Sequence, residues 1–176
     1  RFFKDFIISH KVKESDNKIH LVLTKTNSDL DIDISLNTQS TYKVEHYKQN
    51  IEDDNYTLVE SDSENKTGTI GTETQAVAKN YVGFSVNPFE QKPILADGST
   101  TVKIYYTRNV YTVIFNANGG SLKDDASQKV KYGETPAEPI PPEKEGYNFG
   151  YWYTSKDNGV TEDVSYNFST TVTNNV

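Results

Sequence analysis

The 176-residue sequence predicts a fold that is mainly β with an α+β element. The expected units are tandem small modules of antiparallel or mixed sheet, carrying one short helix in an elongated arrangement. Three observations predict it. Apolar and polar residues alternate in short runs with a period of two, the sign of strands with one wet face. Aromatics reach 12% although hydrophobic residues total only 34%. That pairing argues against disorder and suits sheets on which Tyr packs its ring and keeps its hydroxyl in water. Clusters of Asp, Asn, Ser and Gly separate the runs, as turns require. The length favours two compact modules plus an extra piece, each with a thin core that leans on its neighbours.

Residues 1–40 contain three alternating runs. Phe6, Ile8 and Val12 mark the first, and Ile19, Leu21 and Leu23 the second. The third sets Leu30, Ile32, Ile34 and Leu36 between Asp29, Asp31, Asp33 and Ser35. Ser15-Asp16-Asn17 and Thr26-Asn27-Ser28 are the turns between them. Three short strands are marginal alone, so this piece is expected to be the tail of a preceding β domain or a sheet completed by its neighbour.

Residues 41–108 form the next unit. A strand over Tyr42–Lys48 places Tyr42, Val44 and His46 on one face and Glu45 and Tyr47 on the other. Asp53-Asp54-Asn55 turns the chain into a strand beginning at Tyr56. Thr72 followed by Gln75 fits a capping box, Ala76, Val77, Ala78 and Tyr81 follow, and Gly83 can end the helix. A strand over Phe84–Phe89, a turn at Asp97-Gly98 and a closing strand over Thr101–Thr107 complete a β-grasp-type plan. Tyr42-Lys-Val-Glu-His-Tyr47, Asp54-Asn-Tyr-Thr-Leu58, Thr67-Gly68, Tyr81-Val-Gly-Phe84 and Asp97-Gly-Ser-Thr-Thr-Val-Lys-Ile-Tyr-Tyr106 together resemble the mucin-binding-protein-like repeats of bacterial cell-wall proteins.

Residues 109–176 repeat the plan. A strand over Tyr111–Asn116 runs into Asn118-Gly119-Gly120, where glycine admits the positive φ of a tight hairpin turn. Val130 and Tyr132 mark the return strand. Pro136, Pro139, Pro141 and Pro142 forbid a central strand in the loop that follows. Phe149, Trp152 and Tyr153 come back into the fold, with Trp152 as the core aromatic. Tyr111-Thr-Val-Ile-Phe-Asn-Ala-Asn-Gly-Gly120, Tyr132-Gly133 and Gly146-Tyr-Asn-Phe-Gly-Tyr-Trp-Tyr153 closely resemble the Listeria–Bacteroides repeat, the internalin B-repeat family of bacterial surface proteins. That family carries Gly immediately before the Trp, whereas here Gly150 stands one place earlier and Tyr151 fills the position. It also closes on a strand of Tyr-Ala-Lys-Trp type. The expectation is therefore a last module lacking its final strand, either frayed or completed by a neighbour.

Composition narrows the function. The chain has no cysteine, which removes disulfides, thiolate metal sites and thiol catalysis. A net charge of −7 disfavours nucleic acid. No apolar run is long enough to cross a bilayer. Arg1 is preceded by neither an initiator Met nor an export signal, so a fragment of something longer is expected. His10, His20 and His46 stand singly, outside metal-ligand spacing, and there is no Gly-x-Ser-x-Gly elbow or phosphate loop. No enzyme is expected, and no cofactor. Calcium has one candidate site, Asp157, Asn158, Glu162 and Asp163, although the spacing is not that of an EF-hand. Tyr151, Tyr105 and Tyr106 are the candidate exposed rings for a glycan.

Between Lys103 and Phe115 there is no Gly, Pro or Ser, so the joint is expected to transmit orientation. The reading is a non-enzymatic repeat region at the extracellular surface or wall of a bacterium, a semi-rigid stalk in adhesion whose partners are neighbouring repeats. The alternatives are a module for host glycan or glycoprotein that uses exposed Tyr, and accessory repeats of a large surface enzyme.

Overall fold

The computed structural model of the chain describes residues 7–13, 18–25, 28–35, 38–154 and 165–176. The architecture is mainly β, with antiparallel and mixed sheets. The strands are β1 (Ile7–Lys13), β2 (Lys18–Lys25), β3 (Ser28–Ser35), β4 (Gln39–Gln49), β5 (Tyr56–Leu58), β6 (Glu64–Thr69), β7 (Phe84–Val86), β8 (Thr101–Arg108), β9 (Val110–Ile114) and β10 (Ser127–Lys131). A 3-10 turn at Glu60–Asp62 is the one helical element among the described residues. Two compact units emerge, residues 1–44, 64–76 and 90–102 in one and 45–63, 77–89 and 103–176 in the other.

In the first unit β1, β2 and β3 form an antiparallel meander. Its register sets Ile19 opposite Ile34, Leu21 opposite Ile32 and Leu23 opposite Leu30. The alternating runs thus pair apolar positions with apolar positions, which is what fixes register in a sheet. The turn residues Ser15-Asp16-Asn17 and Thr26-Asn27, with Leu36, lie outside the described residues. The first half of β4 pairs with β6, from Gln39 opposite Thr69 to Val44 opposite Glu64. Glu-Asn-Lys-Thr-Gly-Thr contains no apolar side chain, so nothing in its pattern announces β6. Its place comes from packing: a Cβ on Gly68 would stand 2.5 Å from Ile94 Cδ1. Tyr42, Val44, Ala76, Ile94 and Val102 are buried in this unit, together with Thr74 and Thr100.

The helix expected from Thr72 does not form; the chain from Thr74 to Tyr81 is a strap without regular secondary structure. Each cap has gone elsewhere. Thr72 Oγ1 donates to the Thr69 carbonyl, and Gln75 N–H donates to the Tyr42 hydroxyl at 3.1 Å. The Ala76 peptide is held on both sides by one side chain, its N–H donating to Gln91 Oε1 at 2.8 Å and its carbonyl accepting from Gln91 Nε2 at 2.8 Å. Gln91 thereby imitates a peptide group and extends the antiparallel contact of Gly71–Thr74 with Lys92–Ile94. Lys79 N–H donates to the Tyr106 hydroxyl at 2.8 Å. A helix this short is marginal in water, and here its donors meet better-placed acceptors in side chains.

In the second unit the remainder of β4 pairs with β5, and β7 pairs with β8. Ile104, Tyr106 and His46 are buried. His46 Nδ1 lies 2.8 Å from the Tyr106 hydroxyl. β9 and β10 pair antiparallel, Ile114 opposite Ser127 and Val110 opposite Lys131. The Asn118-Gly119 turn is present, with φ of 48° and 81° and a bond from Gly120 N–H to the Ala117 carbonyl. It does not join β9 directly to β10, however. It returns the chain to Ser121, which pairs with Glu143 across the proline loop, and β10 begins only at Ser127.

Val113, Phe115, Val130 and Val172 form the buried cluster of this region, with Tyr111, Leu122, Trp152 and Phe168 packed against it. Trp152 is therefore a core ring, edge-on to Phe115 at 5.5 Å. Val176 exchanges backbone hydrogen bonds with Thr112 and Ile114.

The strap yields a direct expectation. Gln91→Ala removes both hydrogen bonds to the Ala76 peptide and should cost about 1–3 kcal/mol. Chemical denaturation measures the loss, and amide exchange should accelerate most at Ala76.

Candidate functional site: the connection between β8 and β9

Asn109 alone separates β8 from β9. Its N–H donates to the Gly83 carbonyl and its carbonyl accepts from Tyr132 N–H, both at 2.8 Å. Its side-chain oxygen accepts from Ser85 Oγ at 2.7 Å. Both peptide groups of the connecting residue are thus committed, one toward the β7 loop and one toward the end of β10.

Arg108 closes the arrangement. Its N–H donates to Gln49 Oε1 and its Nε to the Gln49 carbonyl, at 3.0 and 2.9 Å. One terminal guanidinium nitrogen donates to the Tyr132 carbonyl at 2.9 Å. The guanidinium plane also lies over the Phe84 ring, 4.8 Å from its centre. One planar group thereby ties β4, the start of β7 and the residue after β10 together, a task for a fixed fork rather than a point charge. Tyr132 meets Phe84 edge-on at 6.2 Å and Tyr111 at 6.5 Å. Gly83 carries φ of 80° against the Tyr132 ring, where an added Cβ would stand 2.2 Å from ring carbons. Lys131 Nζ and Asp54 Oδ1, 3.0 Å apart, add an exposed ion pair at the margin, worth little alone.

The residues singled out in the sequence fall differently. Tyr106 is a correction: it is only 1% exposed, and its hydroxyl serves His46 and the strap. Tyr105 is at the surface, stacked on Tyr47 at 5.0 Å and edge-on to Tyr56 at 5.2 Å. Tyr151 is 51% exposed and meets Tyr153 edge-on, while Tyr147, at 71%, is barer still. Tyr105 and Tyr151 are both surface rings, but each contacts other tyrosines of its own neighbourhood. Asp157, Asn158, Glu162 and Asp163 lie outside the described residues. Among the described residues no three His, Asp or Glu side chains come together as a metal site.

The remaining acidic turns have local duties. Asp53 accepts from Asn55 and Asn50, which holds its carboxyl below the usual carboxylate range. Asp97 does the same with Ser99. Asp62 is lowered by the Tyr81 hydroxyl, then by Lys79. Sequence reasoning gave Gly83 the end of a helix and assigned no bonding role to the Arg108 guanidinium or to Gln49. Apart from Arg1, Arg108 is the only arginine in a chain otherwise served by lysine, and that was the available signal.

Residues 111–176 match the family model of the Listeria-Bacteroides repeat domain, which is a non-catalytic surface-repeat domain. Two curated relatives come from Evansella cellulosilytica. One, carrying the name of a membrane protein, is 45% identical over 62 residues, covering 35% of this chain and 9% of that protein. The other, named as a Gly-rich membrane protein, is 46% identical over 54 residues, covering 31% of this chain and 6% of its own length. This chain therefore spans less than a tenth of either relative. No solved structure matches it. Among the described residues no helix is long and apolar enough to cross a membrane.

Two outcomes follow from this geometry. Gly83→Ala meets both a positive φ and the Tyr132 ring, so a loss of roughly 2–4 kcal/mol is expected from backbone strain plus overpacking, read as a lowered thermal midpoint. The Tyr47 hydroxyl donates to Glu45 Oε2 at 2.7 Å, and that bond, with burial and the carboxylate charge, raises its pKa from 10.0 to about 12. The neutral phenol is the form the fold favours. Its contribution is complete below the ordinary tyrosine pKa and is lost as pH rises toward 12. Ultraviolet titration should show Tyr47 ionising late, and Glu45→Gln should bring that ionisation back toward 10.

Proposed function

We propose that this chain is a repeat region of a bacterial surface protein that works as a semi-rigid spacer, holding an adhesive region away from the cell. The observation that carries the reading is the one-residue connection at Asn109, with both its peptide groups and the Arg108 guanidinium committed. A spacer needs its successive β elements held at a fixed angle, and a joint without slack provides that. The repeat matched by residues 111–176 and the membrane-protein names of the relatives support a place at the cell envelope. In this reading residues 41–108 are a second, mucin-binding-protein-like repeat, and the extracellular surface is the site of action.

Paired spin labels on Thr57→Cys and Ser127→Cys, both exposed positions, report the joint directly. A narrow distance distribution is expected in the otherwise native chain, and a broadened one in Arg108→Ala, with about 1–3 kcal/mol lost with the guanidinium bonds. A broad distribution before Arg108 is touched would overturn the spacer reading. So would saturable binding to a glycan panel that Tyr151→Ala abolishes without lowering the thermal midpoint; that result would assign the chain to ligand capture.

A further inference from the structure

We propose that the pairing of residues 175–176 with β9 is a mechanical clamp, set so that a load carried through this region meets its hydrogen bonds in shear. Val176 N–H donates to the Thr112 carbonyl at 3.1 Å, and Ile114 N–H donates to the Val176 carbonyl at 2.8 Å. A residue that gives its N–H to the position before its neighbour, and takes one from the position after, is paired parallel to that neighbour. Val176 therefore lies beside Val113 and runs in the direction of β9. Asn175 adds a third bond, its side-chain oxygen accepting from Thr112 N–H at 2.9 Å.

The partner is anchored behind this contact. Val172 is buried with Val113, Phe115 and Val130, its N–H held by the Glu134 carbonyl and its carbonyl by Gly133 N–H, both at 2.8 Å. The other edge of β9 is occupied by antiparallel β10. β9 is thus an inner strand between β10 and the terminal residues.

Direction decides what such a pair resists. A load entering through β8 pulls β9 from its first residue, Val110, while a load at Val176 pulls the terminal residues forward. Because the two run the same way, the opposed forces lie along the strands, and the three bonds must give way together while Val172 leaves its cluster. The same bonds loaded from the far end of β9 would open singly. Forced unfolding is governed by the unfolding barrier rather than by equilibrium stability, so this placement raises resistance without a larger core. The biological meaning of the clamp rests on the spacer reading, but its geometry does not.

The absence of cysteine makes an introduced thiol a unique attachment point. Val110 and Ile114 are both exposed and lie on one strand. Whole-chain variants Val110→Cys and Ile114→Cys, each with a second handle fused after Val176, load the same bonds from opposite ends of β9 in a single-molecule pulling experiment. The rupture force from Val110 is expected to exceed that from Ile114 several-fold, and Asn175→Ala should lower the first while leaving the second where it was. Equal forces from the two attachments, or no drop on Asn175→Ala, would overturn the clamp. The spin-label distances read the joint at rest and stand or fall independently of that result.

Discussion

Between β8 and β9 the backbone has a single residue, and both of its polar groups are already engaged. That restriction orders the rest of the second unit. Because Asn109 bonds Gly83 on one side and Tyr132 on the other, the β7 loop and the end of β10 are brought to one place. Arg108 then fills the space between them with a group whose donors point in fixed directions. A lysine there would supply charge without the plane that lies over Phe84 and without simultaneous reach to the Gln49 and Tyr132 carbonyls. Gly83 follows from the same restriction, since the Tyr132 ring occupies the space a side chain would need.

A β-rich chain with thin cores faces a second demand, that the peptide groups of its long irregular segments find partners. The strap over Thr74–Tyr81 meets it with side chains. Tyr42, Gln91 and Tyr106 each reach a strap N–H, and Gln91 also reaches a carbonyl. The tyrosines do two things at once, filling the interior with a ring and ending it with an acceptor. This explains how a sequence so low in aliphatic residues closes a core, and why its aromatic content is high.

The strands that alternate were legible in advance: β2 and β3, the Tyr42–Val44–His46 face of β4, and β8 all lie where the period of two puts them. Positive-φ turns at Gly98 and Asn118-Gly119 were legible as well, because few residues adopt that backbone. What escaped was non-local. β6 has no apolar side chain to reveal it and exists because β4 offers an edge. The helix was read from Thr72 and Gln75, but the Thr72 hydroxyl turns back to the Thr69 carbonyl and the N–H groups of Gln75 and Ala76 go to Tyr42 and Gln91, distant in sequence. Tyr105 and Tyr106 are adjacent letters with opposite fates, and only the partner strands decide which ring faces inward. Arg108 carried a faint signal in its rarity, but its three acceptors come from Gln49 and Tyr132, far apart in the chain.

The inward hydroxyls of Tyr42 and Tyr106 bear on how relatives of this chain would be compared. Wherever the strap is retained, substitution to Phe at these positions strands a backbone donor, so natural variation there should be narrow. Columns of unvarying tyrosine are commonly taken to mark a contact with another molecule. Here the same invariance would arise from internal carpentry, and mutational surveys seeking a receptor footprint would do better to begin with rings whose oxygen faces water.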